Sequence, residues 1–180
     1  SLALLACLWS TASFADTVAE VTSPDGRIRV QLDINPEGRL GYRVDRDGRP
    51  VLDDSRLGLQ FRNAEALLRN LTLSGQAVRE ADEQWELPWG ERREIRNHFR
   101  ELRASFQETV RAKRRFDVVF RVYDDGFGFR YEMPSQPNAG RVEIEDDLSE
   151  FAVSRPSTAW WIPAGEWNRY EYLYQKTPLS

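Results

Sequence analysis

Thiols, imidazoles and amines are nearly missing from this chain. Its 180 residues include one cysteine, one histidine and one methionine. Cys7 lies in the leading apolar segment, so a mature form without that segment has no disulfide and no thiol nucleophile. His98 is then the one imidazole that could serve a Ser-His-Asp arrangement. It sits in a charged stretch with no nucleophile motif beside it, and reads as a surface or edge histidine. Zinc sites built on Cys and His are excluded. No Gly-rich phosphate loop is present, because the glycines of "DDGFGFR" belong to a hairpin and not to a strand-to-helix turn. No apolar run is long enough to span a membrane. There is no fixed-period repeat and no low-complexity tract.

What is present suits a folded, water-facing domain. Hydrophobic residues make up 41%, aromatics 12% and charged residues 30%, with a formal net charge of −4. The length allows one domain or part of a larger protein. One block runs against the acidic balance. Positions 92 to 115 hold eight Arg and one Lys against three Glu. Without a nucleic-acid fold motif it reads as a solvated strand or loop face, and no nucleic-acid partner is expected. The whole chain has 23 Arg and two Lys, an excess read as codon preference and not as mechanism.

Residues 1–15, "SLALLACLWSTASFA", carry no charge and end in Ser-Phe-Ala. This is the pattern of a secretory signal peptide cut before Asp16, and its missing Met and basic start imply truncation at the N-terminus. The "LLAC" fragment faintly resembles a lipoprotein box, with Leu5 a poor fit. A bacterial periplasmic or secreted location follows as the expectation.

The mature segment reads as a series of strands. In "RIRVQLDI", Ile28, Val30, Leu32 and Ile34 alternate with polar residues. Leu40, Tyr42 and Val44 alternate after the "NPEG" turn, and "DRDG" turns the chain again. "PVL" and "LGLQF" continue the extended pattern, and "NLTLSG" reads as another short strand. "WELPWGERREI", with Pro88 and Gly90, reads as a loop. Ile95, Phe99, Leu102 and Phe106 recur at helical spacing, yet Leu102, Ala104 and Phe106 also alternate as a strand. "RFDVVFRVYDDGFGFRYEM" reads as a hairpin, and "RVEIED" and "EFAVS" as short strands. The fold class expected is all-β, an antiparallel β-sandwich.

Chemistry has few candidate carriers. Asp124-Asp125-Gly126 is better read as a turn than as a calcium loop, which would need six to eight oxygens. The acidic run Glu143, Glu145, Asp146, Asp147 and Glu150 reads as a solvated face. The aromatic tail is denser, with Trp160, Trp161, Trp167, Tyr170, Tyr172 and Tyr174. Such rings stack on sugars and also fill cores. If "YEYLY" is extended, the three tyrosines share one face, and Glu171 shares the other with Leu173.

"FRVYDDGFGFRYEMP", "EFAVS", "WWIP" and "WNRYEYLYQKTPLS" resemble, in order, the N-terminal domain of glycoside hydrolase family 97. "SPDGRIRVQLDI", "GYRVDRDGRPVL", "LGLQF" and "ELPWGERREIRNHFREL" fit the same domain. The resemblance implies a supersandwich-like β-domain, residues 16–180, incomplete here and lacking the catalytic (β/α)8 barrel it would pack on. It implies strand for residues 98–107. It further implies a secreted or periplasmic, calcium-dependent, exo-acting α-glucosidase or α-galactosidase acting on α-linked oligosaccharides. Within this chain no catalytic residue is implied. Glu171 is the implied calcium ligand, Asn168 an additional ligand or substrate contact, and Trp167 a substrate contact. Two alternatives stand beside it. One is a stand-alone carbohydrate-binding sandwich with Trp160, Trp161 and Trp167 as a stacking platform. The other is a ligand-free interaction domain of the cell envelope.

Overall fold

The computed structural model describes residues 16–110, 112–165, 168 and 171–179. Among them it contains strands and no helix. β1 (Asp16–Thr22), β2 (Ile28–Ile34), β3 (Leu40–Arg46) and β4 (Arg49–Arg56) form one antiparallel meander. After the short β5 (Leu59–Phe61), β6 (Leu71–Glu86), β7 (Glu94–Glu108), β8 (Arg115–Val122) and β9 (Phe127–Glu132) form a second. β10 (Ile144–Asp147) returns to pair with β5, and β11 (Ser157–Trp161) pairs with β12 (Gln175–Leu179). This is the expected antiparallel β-sandwich.

Alternation places the core. Val30, Leu32, Tyr42 and Val44 of the first sheet and Leu102, Phe106, Val118 and Phe120 of the second are buried in one cluster. Tyr42 is the hub. Its ring centroid lies 5.6 Å from that of Phe120 and 5.5 Å from that of Phe129. Its hydroxyl donates to the Glu150 carbonyl at 2.8 Å, which satisfies the one polar atom buried with the ring. Burial pushes the Tyr42 phenol up to about 12, because a phenolate there would lose its water.

Two turns need special backbone. Asp47 and Gly48 both adopt positive φ (52° and 70°) in the β3–β4 hairpin, the geometry a tight primed turn demands. Gly38 has φ 70°, and a Cβ there would meet the Leu71 backbone nitrogen at 2.5 Å. The "NPEG" turn is thereby pressed onto the start of β6.

The helical spacing in β7 has a simple origin. Leu102, Ala104 and Phe106 face the core, whereas Phe99 faces the opposite side of the sheet. Two faces of one strand imitate one face of a helix. Phe99 is still only 1% exposed. The guanidinium of Arg121 covers its ring at 4.4 Å and that of Arg79 at 5.4 Å.

Three extended segments differ from the sequence expectation. "NLTLSG" begins a 16-residue strand that runs into "WE" and shortens the expected loop. β6 is an edge strand with mostly exposed residues, so no apolar alternation marks it. "EFAVS" forms only a single bridge, Val153 to Leu52, flanked by backbone bonds from the Asp53 amide to the Ala152 carbonyl and from the Ser154 amide to the Val51 carbonyl. In "YEYLY", residues 171–174 are irregular and the strand starts at Gln175. Tyr172, Leu173 and Tyr174 are exposed there, at 39%, 92% and 70%, so these tyrosines do not form a core face. The expected leader, residues 1–15, lies outside the described residues.

The outer face of the second sheet is a lattice of charges. Glu101, 5% exposed in its side chain, accepts from Arg79 Nε at 2.8 Å and Arg121 Nε at 2.6 Å. Arg103 reaches both Asp117 and Glu132, and Arg130 bonds Glu132 at 2.7 Å. Desolvation would raise the Glu101 carboxyl, but the bonds from Arg79 and Arg121 outweigh it and hold the group down at about 2. A carboxyl depressed from 4.5 contributes stability that is complete above that value and is lost as pH falls toward 2. Glu101→Gln should therefore lower urea-unfolding stability at pH 7 by about 1–3 kcal/mol. The variant should also lose stability less steeply than the parent between pH 4.5 and 2. Parallel curves for the two proteins would refute the assignment.

Candidate functional site

The resemblance directs attention to the β11–β12 hairpin and the loop it closes. Trp160 pairs with Lys176 and Trp161 with Gln175, so the hairpin staples the two ends of a loop spanning 162–174. Asn168 and Glu171 both lie on this loop, and both are exposed. Trp167 falls outside the described residues, as does Tyr170. The loop follows a fixed approach. Ser55 Oγ accepts from the Ala152 amide at 2.9 Å, and Ser154 Oγ donates to the Pro50 carbonyl at 2.7 Å. The chain is thus tied along β4 before it enters β11.

The tryptophans of β11 do not form one platform. Adjacent residues of a strand point to opposite faces, so Trp160 and Trp161 present their rings on different sides. Lys176 Nζ lies 5.1 Å from the Trp160 ring centroid. Trp161 Nε1 donates to Thr177 Oγ1 at 3.1 Å. Both rings stay exposed, at 63% and 41%. This geometry counts against a flat stacking surface made of the two.

For calcium, the donor types fit and the donor number does not. A carboxylate and an amide oxygen are suitable hard ligands, but the ion takes six to eight oxygens. Among the described residues no group of three or more Asp, Glu, His or Cys could hold a metal. Glu171 and Asn168 could supply a minority of the ligands and no more.

Other charged candidates are engaged in the fold. His98 Nε2 lies 2.8 Å from Glu80 on β6. The Asp124 carboxylate accepts from the Asp25 amide at 2.9 Å, and the Tyr123 amide bonds the Gly126 carbonyl, as in a plain turn. In the acidic run, Glu150 pairs with Arg56 and Glu145 lies 3.9 Å from Arg62. In the basic block, Arg93, Arg96 and Arg100 pair with Glu86, Asp82 and Glu80 across the β6–β7 hairpin. Arg114 makes a buried two-point pair with Glu108. Sequence reasoning missed these cross-strand partners. The signal was the preference for Arg over Lys, since a planar fork can bond two groups at once.

Comparison with known proteins bears on this geometry. The family description "Glycosyl-hydrolase 97 N-terminal" matches residues 21–180. The chain is 34% identical, over 99% of its length, to a probable retaining alpha-galactosidase of Streptomyces bingchenggensis, of which it covers 27%. It is 32% identical over 98% of its length to a retaining alpha-galactosidase of Bacteroides thetaiotaomicron, again covering 27%. A glycoside hydrolase family 97 enzyme from Pseudoalteromonas sp. strain K8, solved in complex with panose, superposes with a TM-score of 0.82 at 34% identity. That match covers 89% of this chain and 24% of the solved one. A beta-arabinopyranosidase structure shares the fold at 22% identity, with a TM-score of 0.73. The chain spans about a quarter of the length of the curated relatives it matches.

The exposed pair Asn168 and Glu171 predicts very weak calcium binding by these 180 residues alone. Isothermal titration should give a dissociation constant weaker than about 1 mM, with Glu171→Gln behaving like the parent. Tight, saturable binding lost in the variant would show that this chain completes a site by itself.

Proposed function

The chain belongs to glycoside hydrolase family 97, whose N-terminal domain it matches, and from that premise we propose that it is part of a longer, secreted or periplasmic α-glycosidase. The single observation that carries this reading is the family match over residues 21–180. Alignment of nearly the whole chain to about a quarter of two α-galactosidases supports it. In the proposed enzyme the sandwich packs on a catalytic (β/α)8 barrel supplied by the same polypeptide. Substrates are α-linked gluco- or galacto-oligosaccharides attacked from an end.

The division of labour follows the family resemblance. Many described carboxylates, Glu101, Glu108 and Glu150 among them, are paired with arginines, and the family resemblance assigns the acid, base and nucleophile roles to the barrel. Glycoside hydrolysis needs two carboxyl groups flanking the scissile bond, and a retaining enzyme holds them about 5–5.5 Å apart. The contribution of this chain is positional. The β11–β12 hairpin closes the loop on which Glu171 and Asn168 are exposed; the roles proposed for them are calcium ligand for Glu171 and second ligand or sugar contact for Asn168. Trp167 is the proposed stacking contact. Calcium, when bound, supplies a fixed positive charge that stabilises developing negative charge and orients water.

A platform of Trp160 and Trp161 is opposed by their opposite faces. In the longer enzyme, Glu171→Gln should lower kcat/KM for an aryl α-glycoside by about 10- to 100-fold and raise the calcium needed for half-maximal rate. An unchanged rate and unchanged calcium dependence would remove Glu171 from the site.

A further inference from the structure

Most described arginines in this protein have a carboxylate within ion-pair distance. Three that lack one among the described residues converge on a single cleft. Arg46 and Arg49 flank the β3–β4 turn, and Arg155 enters from the segment that precedes β11. The cleft holds about 590 Å³, and Val51 and Val153, 43% and 42% exposed, form its apolar wall. Its one lining acid among the described residues, Asp47, is already held by Arg27 through two bonds of 2.8 Å.

Asp47 in the turn feels the charges of Arg46 and Arg49, but its two side-chain bonds go to Arg27. Arg46 and Arg49 are direct cross-strand partners, and like charges in that position destabilise a hairpin. Arg155 adds a third positive charge in a protein whose formal net charge is −4. The wall is fixed from behind, because the Ser154 amide bonds the Val51 carbonyl at 3.1 Å and Val153 bridges Leu52. A guanidinium presents paired donors that match an oxyanion, and among the described residues no carboxylate lies within ion-pair distance of these three.

We infer that this cleft binds an oxyanion group, a carboxylate or a phosphate, carried on a small body that rests against Val51 and Val153. The described lining includes no residue of 162–174, and the inference does not depend on the glycosidase reading. The two sources of the anion differ in what covers the valines: inorganic phosphate leaves them bare, whereas a carboxylated sugar ring lies on them.

Isothermal titration of the chain with inorganic phosphate, and separately with glucuronate, at low ionic strength tests this. One saturable site with a dissociation constant of about 1 mM or tighter is expected. Arg46→Gln combined with Arg155→Gln should weaken binding at least about tenfold, as loss of charge-assisted bonds requires. Arg92→Gln, an exposed arginine on the β6–β7 loop, should change nothing. All four positions substituted, Arg46, Val51, Arg92 and Arg155, are exposed, and an unchanged thermal melt confirms that each variant is folded. Tighter glucuronate binding that Val51→Ser weakens supports the site with a carboxylated ring as its ligand. Equal or tighter phosphate binding, indifferent to Val51→Ser, supports it with phosphate. The inference is overturned if no saturable binding occurs, if the double variant binds as the parent does, or if Arg92→Gln weakens binding as much as the double variant.

Discussion

The contact between Tyr42 and the aromatic rings of the second sheet is the constraint from which the rest follows. Phe120, Phe127 and Phe129 approach it from β8 and β9, and Phe151 closes it from the returning chain. Tilted and edge-on pairs of this kind contribute about 0.5–1.5 kcal/mol each beyond their buried area. The Tyr42 hydroxyl sets a second constraint by bonding the Glu150 carbonyl. That bond fixes where the chain runs after β10. From Glu150 onward the chain follows β4, reaches Arg155, and enters β11. The approach of the chain to β11 is therefore tied to the packing around Tyr42.

A sandwich of two sheets buries one face of each and leaves the other to water. On the second sheet, that outer face is not simply polar. Phe99 and Val119 are buried on it, at 1% and 0% exposure, beneath arginine side chains. Arginine stems cover apolar surface while their heads pair with Glu101, Asp117 and Glu132. The same residues thus act as a hydrophobic cover and as an ionic lattice. Lysine, with a compact charge and no planar fork, would do this less well.

Much of the sandwich was legible because its strands announce themselves. β2, β3, β8 and β9 carry alternating apolar residues, and the turns flanking β2 and β3 have Gly26, Gly38 and Gly48 at positive φ. β7 was ambiguous because Phe99 serves the outer face and Leu102 the inner, a distinction that periodicity in one strand does not carry. β6 was legible only at its start, since its pairing partner and not its own pattern makes it a strand. "EFAVS" has strand composition, yet it meets only one bridge partner. At the candidate site, the residue types were readable and their arrangement was not. No local signal distinguishes a loop tyrosine from a strand tyrosine when both follow an alternating pattern. The cross-strand pairing of Arg46 with Arg49 could be anticipated from "DRDGR", but the arrival of Arg155 beside them depends on the long-range path set by Tyr42.

We propose above that this sandwich serves a calcium-dependent α-glycosidase. That proposal is tested most directly by assaying the longer polypeptide that carries this chain on aryl α-glucosides and α-galactosides, before and after removal of calcium by a chelator. The account predicts hydrolysis of at least one α-glycoside, abolished by chelation and restored by added calcium. Hydrolysis of neither substrate, or hydrolysis indifferent to the chelator, would contradict it.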